Sequence, residues 1–339
     1  MKQGAMGERQ RWTWIAAGLS AAVAAAACGL GWIWVLAGGG AVTAYYICMD
    51  RNLSACGAAV LLPVRWGIAG RIAAALVLLW TVLVMGWTAL LADAAFPMVD
   101  GFPALGWILL LLAGAGCCKG AAACARCAGV LCLFLVALYG VIVGFSLPDV
   151  TWKNVSLSGT WQDSLWATGL FLLPGAVWYL PCSRSRKKTA WSLLLILPVC
   201  GAVLAAVTAG VLTPELAADL PAPLYTLAQS VSLFGVLERI EPLLSAAMTM
   251  GVFCLLSVQS CACSALGKAL GLGKWTGAAA CAAAGAVMFP VRDLPRWVLG
   301  TGCVLFWVLL PLLCLGKRDK IRECDPQGIV VEKEENHKR

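Results

Sequence analysis

WTWIAAGLSAAVAAAACGLGWIWVLAGGGAVTAYYICM, residues 12–49, is a run of 38 positions without Asp, Glu, Lys or Arg. An α-helix rises ~1.5 Å per residue, so one helix of this length would far exceed the ~30 Å hydrocarbon core of a bilayer. The run reads instead as two spans joined by a tight turn at Gly29-Leu30-Gly31. Charge-free runs recur from Ile72 to Ala92 and from Thr189 to Pro214. Each reaches the roughly 20 residues that one crossing needs. In hydrocarbon every backbone N–H and C=O must be paired within the protein, so such runs become helices. A membrane barrel would show alternating segments of ~10 residues, and the sequence has none.

Working outward, the whole chain is 61% apolar and only 12% charged over 339 residues. Soluble domains carry roughly 25% charged residues, so a soluble globular domain is excluded. The expected spans are 12–29, 31–49, 67–95, 103–118, 121–145, 163–181, 190–213, 240–266, 275–290 and 296–316. They make one transmembrane domain, 1–316, followed by a polar tail, 317–339, expected to be a short disordered cytoplasmic end. The first apolar run reads as the first span rather than a cleaved leader.

Charge orients this layout. With both ends in the cytoplasm, 21 of the 25 basic residues fall in inner segments. Outer loops hold Lys153, Arg292 and Arg296, together with Asp93, Asp100, Asp149, Asp163, Glu215, Asp219 and Asp293. This asymmetry is the positive-inside pattern. It also accounts for the net charge of +8: the basic residues orient the chain and face anionic lipid heads rather than nucleic acid.

Seventeen cysteines would mean a disulfide framework in a small secreted protein. Here Cys28, Cys132, Cys200, Cys254 and Cys303 sit inside apolar runs, where a thiol packs as a small hydrophobe. The densest group is Cys117, Cys118, Cys124 and Cys127. Its Cys124-x-x-Cys127 spacing is that of a metal ligand pair. The only histidine, His337, is in the tail, so no metal centre is assigned. Thiol oxidation or acylation at the inner face is the other reading.

Residues 221–253, PAPLYTLAQSVSLFGVLERIEPLLSAAMTMGVF, depart from a plain span. Two prolines and a moderately amphipathic stretch, 224–236, precede the charged element Leu237-Glu238-Arg239-Ile240-Glu241. This segment resembles the GerAB-type spore germination permeases, a branch of the amino acid–polyamine–organocation transporter superfamily. Lys119-Gly120 with Ala125-Arg126, Trp152-Lys153-Asn154-Val155, Leu173-Pro174 through Lys187-Lys188, and Pro311 with Lys317-Arg318 match that family's pieces in order. The resemblance covers roughly residues 100–320. The first quarter departs from it: its first span is an alanine run with Gly18 and Ser20 and no proline.

The resemblance implies two inverted five-helix repeats of the LeuT type. It implies the membrane-embedded subunit of a spore nutrient germinant receptor, sensing an amino acid or similar germinant among spans 1, 3, 6 and 8. The expected partners are a second membrane subunit and a lipoprotein, in the spore inner membrane or cell membrane, without a cofactor. An ordinary secondary transporter for an amino acid is the alternative, and a purely structural membrane partner is a third.

Several groups carry two readings each. Glu238, Arg239 and Glu241 are either a gate at the mouth of the eighth span or helix-start acids meeting the dipole with a snorkelling arginine. Gly169, Pro174 and Gly175 are either a broken helix that frees backbone groups for a ligand or a proline kink with glycine packing. Gly18 and Ser20 are pocket or packing residues. Trp80, Thr81, Trp87 and Thr88 could cap a pocket or face lipid. The eighth span adds Ser245 and Thr249 to the implied pocket. No phosphate loop, no Ser/His/Asp set and no paired carboxylates within a span are present, so no enzyme chemistry is assigned.

Overall fold

The computed structural model describes residues 6–26, 30–53, 57–92, 104–155, 161–183, 191–213, 216–217, 220, 223–230, 241–273 and 275–314. Within them the chain is a bundle of helices. These are α1 (Glu8–Ala26), α2 (Trp32–Asn52), α3 (Ala58–Leu90), α4 (Ala104–Lys119), α5 (Ala121–Ser146), α6 (Trp161–Leu172) and α7 (Trp191–Leu212). A short α8 (Pro223–Ser230) then precedes α9 (Glu241–Leu270), α10 (Thr276–Arg292) and α11 (Arg296–Val304). A π-turn, Leu305–Leu309, and a last turn, Leu310–Leu313, continue α11. Within the described residues, every expected span overlaps one of these helices.

Among the described residues, five segments are long and apolar enough to cross a membrane by length and composition: Trp32–Asn52, Ala58–Leu90, Ala121–Asp149, Pro242–Leu270 and Arg296–Leu313. The outside of the bundle explains why they need a membrane. On α3, Ile68, Ile72, Leu76 and Leu79 are exposed, while Ala74, Val77, Val84 and Met85 on the other side are buried. On α4 and α5, Leu111, Val130 and Leu133 are also exposed. Contiguous apolar surface on this scale is stable only against another apolar phase.

Two glycines shape the chain locally. Gly120 (φ +94°) turns α4 into α5 in a single step, a left-handed conformation that other residues resist. Gly67 (φ 55°, ψ −120°) breaks α3, so that Ala58–Trp66 is a short separate helix and the span begins after it. The expected span, 67–95, begins at this break, and the short helix before it is not among the expected spans.

The middle of the bundle is α9, which packs against α1, α3, α4, α5 and α10. Its apolar window is 72% buried. α1 packs on α5, α9 and α7, and α2 packs on α6 and α7. A two-residue parallel ladder joins β1 (Met6–Gly7), just before α1, to β2 (Cys182–Ser183), just after the sixth span.

The expected interfacial stretch 224–236 is partly seen: its first residues lie in α8. Glu238 and Arg239 lie outside the described residues, as do residues 315–339. Glu241 is the first residue of α9, with its side chain outside the described set.

Candidate functional site

The sixth span stops being an α-helix at Leu172. Pro174 has no N–H to continue the ladder, and its ring clashes with the preceding turn. The chain goes on as a tighter 3-10 turn, Leu173–Tyr179, every residue of which is buried. Two carbonyls at this break accept bonds from other helices. Phe171 takes the Tyr46 hydroxyl of α2 at 2.9 Å, and Leu173 takes the Gln259 amide of α9 at 3.3 Å.

Gln259 is fully buried. Its Nε2 also donates to Thr88 Oγ1 of α3 at 3.2 Å, and Thr88 itself donates to the Val84 carbonyl at 2.8 Å. Both partners of Nε2 therefore act as acceptors, which fixes the amide orientation. The remaining atom, Gln259 Oε1, is buried without a partner. A buried acceptor left in that state costs about 1–3 kcal/mol. The site thus holds one free acceptor where α3, α9 and the broken sixth helix meet.

α1 closes the junction from the other side. A methyl on Gly18 would stand 2.9 Å from Leu255 Cδ2 and 3.5 Å from Pro174 Cβ. Trp14 Nε1 donates to the Cys254 carbonyl at 3.1 Å. The first helix is continuous over Glu8–Ala26, so here the backbone groups at the junction come from the sixth span.

The residues singled out by sequence fall in different places. Gly18 and Pro174 meet at the junction. Ser20 lies on α1, its side chain outside the described residues. Gly175 faces Trp307 and the Tyr46 hydroxyl. Gly169 seats against α11, where a methyl would stand 2.7 Å from Gly300 Cα. Trp80 stacks on Phe306 at 5.5 Å and packs over Gly302. Thr81 bonds back to the Val77 carbonyl, roughly 10 Å along α3 from Thr88. Thr249 bonds the Ser245 carbonyl. By helix rise these two lie roughly 15 and 21 Å from Gln259 along α9. Trp87 packs edge-on against Trp166 at 5.0 Å.

A second polar cluster sits at the basic ends of the helices. Arg11 of α1 pairs with Asp50 of α2 at 3.6 Å, with both side chains under one-tenth exposed. The Arg11 guanidinium also lies 5.1 Å from the Trp178 ring, a favourable cation–π distance. Trp12 meets Trp178 edge-on at 6.3 Å. Beside them Cys182, in β2, is buried; burial pushes its thiol above the ordinary range, and the nearby Arg11 charge draws it partly back. Tyr45 and Tyr179 donate to the Trp307 and Phe306 carbonyls in the π-turn of α11. Arg65 reaches the Cys314 carbonyl.

Sequence reasoning missed Gln259, Arg11 and Asp50 as site residues. A single amide in an apolar run was the available signal for Gln259. Arg11 counts in the sequence only as one of the inner basic residues, and Asp50 is not singled out there. Of the cysteine group, Cys117 Sγ donates to the Ser260 carbonyl at 3.7 Å; Cys281 Sγ of α10 donates to Ser260 Oγ at 3.4 Å. Among the described residues no set of three or more His, Cys, Asp and Glu is placed to hold a metal.

No protein-family description matches the chain, and no curated protein matches it in sequence. Among solved structures the chain is similar to the inward facing conformation of Mhp1, with a TM-score of 0.57 and 13% identity. That likeness covers 94% of this chain and 78% of that one. Mhp1 is a transporter of the LeuT fold, which is built from inverted five-helix repeats. With α1–α5 as one repeat and the sixth span through α11 as the other, the chain is a polytopic all-α membrane protein of the LeuT-like fold.

Proposed function

We propose that the chain binds a small solute bearing an N–H donor, an amino acid being the simplest case, at the junction of α1, α3, α9 and the broken sixth span. The observation that carries this reading is the free Gln259 Oε1, buried on an amide whose Nε2 already bonds the Leu173 carbonyl. An ammonium group satisfies such an acceptor, and half-helix ends at mid-membrane are where transporters of inverted-repeat folds take their substrates.

On this reading the protein is the membrane-embedded subunit of a spore germinant receptor, with both termini cytoplasmic. It works beside a second membrane subunit and a lipoprotein. Ligand binding biases one of two helix arrangements, since a ligand shifts an equilibrium only by its difference in affinity for the two states. Support comes from the Leu237–Glu241 element and from the uncharged character of the junction, which offers no carboxylate among the described residues for ion coupling. Secondary transport of the same solute is the second reading, favoured by the fold shared with Mhp1.

The test is germination of spores lacking this gene, complemented with wild type, Gln259→Leu or Glu238→Gln. Loss of the response to one nutrient, restored by wild type but not by Gln259→Leu at equal protein level, supports the receptor. Unchanged germination to every nutrient, together with solute uptake by proteoliposomes, overturns it in favour of transport.

A further inference from the structure

A hollow of about 300 Å³ lies between α4 and α10. It exists because both walls carry small residues: Gly114 and Ala115 on one side, Ala278 and Ala282 on the other. Trp107 and Cys118, at its two ends, are eleven residues apart on one helix. That is ~16 Å by helix rise, about half of a ~30 Å hydrocarbon core. The hollow is therefore about as long as one leaflet is thick, and it runs along most of α4. Its deep end is the Trp107 ring, which fills the space where Gly285 lacks a side chain. Leu111, on its wall, is 69% exposed, so the hollow faces the bilayer rather than the junction at Gln259.

Its other end lies at the basic ends of the helices. Lys119 follows Cys118 directly and is exposed. Lys268, in the last turn of α9, is exposed and close enough to act electrostatically on Cys117. Trp275 stands at the rim, 63% exposed, the position an interfacial tryptophan takes at headgroup level. No acidic residue occurs in α4, α5 or α10, and α9 carries only Glu241, at its opposite end.

We propose that this hollow binds the acyl chain of an anionic phospholipid from the leaflet at the basic ends, with its phosphate held by Lys119 and Lys268. Small residues provide the slot, exposed apolar walls keep it in contact with the bilayer, and the lysines at the basic ends of α4 and α9 select the headgroup. The inference rests on membrane placement alone and does not depend on the solute-binding reading.

The test reconstitutes the full chain in vesicles of equal parts phosphatidylethanolamine and phosphatidylglycerol, extracts it in mild detergent and weighs retained lipid by native mass spectrometry. Wild type retains phosphatidylglycerol preferentially. A lysine near an anionic surface is worth about fivefold, so Lys119→Gln and Lys268→Gln each lower the preference by about that factor, and the pair abolishes it. Ala115→Phe, at an exposed position on one wall, fills the hollow and removes retention of both lipids; Ala282→Phe does so from the other wall should the first variant fold poorly. Equal retention of both lipids by wild type overturns the proposal, as does undiminished retention in the filled variants. A covalent adduct released by hydroxylamine also overturns it, placing the chain on Cys118 as a thioester.

Discussion

Replacing Gln259 by Leu separates binding from folding. The substitution removes two interhelical hydrogen bonds, to Thr88 and Leu173. Such bonds average about 0.6 kcal/mol in membrane helices, a loss of roughly 1.2 kcal/mol in all. The same change removes the orphaned Oε1, whose burial costs about 1–3 kcal/mol. The ligand-free variant is therefore expected to match wild type or to exceed it by up to roughly 2 kcal/mol. Binding responds in the opposite sense. A hydrogen bond to a charged ammonium is worth about 1.5–3 kcal/mol, so affinity falls roughly 10- to 100-fold. At a ligand concentration near 100 times the wild-type Kd, ligand stabilises wild type by about 2.7 kcal/mol. For the variant the same concentration gives roughly 0.4–1.4 kcal/mol. The assay is thermal unfolding in detergent with and without a panel of amino acids. A variant that unfolds far below wild type without ligand, yet keeps the full ligand shift, would refute the reasoning: Gln259 would then be a structural brace.

Other perturbations have equally definite outcomes. Asp50→Asn leaves Arg11 buried without its counter-charge, which typically costs about 3–5 kcal/mol; folded yield and unfolding temperature fall, and the double change Arg11→Leu with Asp50→Leu recovers most of the loss. Gly169→Leu forces apart α6 and α11 at the Gly300 contact and destabilises by at least about 1–3 kcal/mol, measured against Gly140→Leu, where nothing lies within 4 Å. Tyr46→Phe strips the donor from the buried Phe171 carbonyl and lowers stability by about 1 kcal/mol. Cys182, with its thiol raised by burial, is expected to react slowly with maleimide at pH 7. Because Arg11 lowers its pKa, Arg11→Leu shifts the onset of labelling to still higher pH; an onset at lower pH would contradict that sign.

The spans were legible because hydropathy is a local property: a charge-free run such as 72–92 can satisfy its backbone only as a helix in lipid. The break in the sixth span was legible for the same reason, since Pro174 acts on its own turn. What could not be read was pairing between distant residues. Nothing local tells that Gln259 reaches Thr88 and Leu173, or that Arg11 meets Asp50 across two helices. Trp80 and Thr88 looked equivalent on one helix, yet one stacks on Phe306 and the other meets Gln259. The rotation of α3 against its neighbours decides between them, and that rotation is a tertiary property.

The ladder of Met6 with Cys182 and Gly7 with Ser183 ties the lead-in of α1 to the exit of the broken span. Its bonds are between main chains, so it works like a stitched seam: tension on either thread reaches the other without passing through any side chain. Point substitutions there leave the seam intact. Adding one residue between Gly7 and Arg11 puts slack between that seam and α1, leaving side-chain contacts such as Trp12 with Trp178 to couple the two.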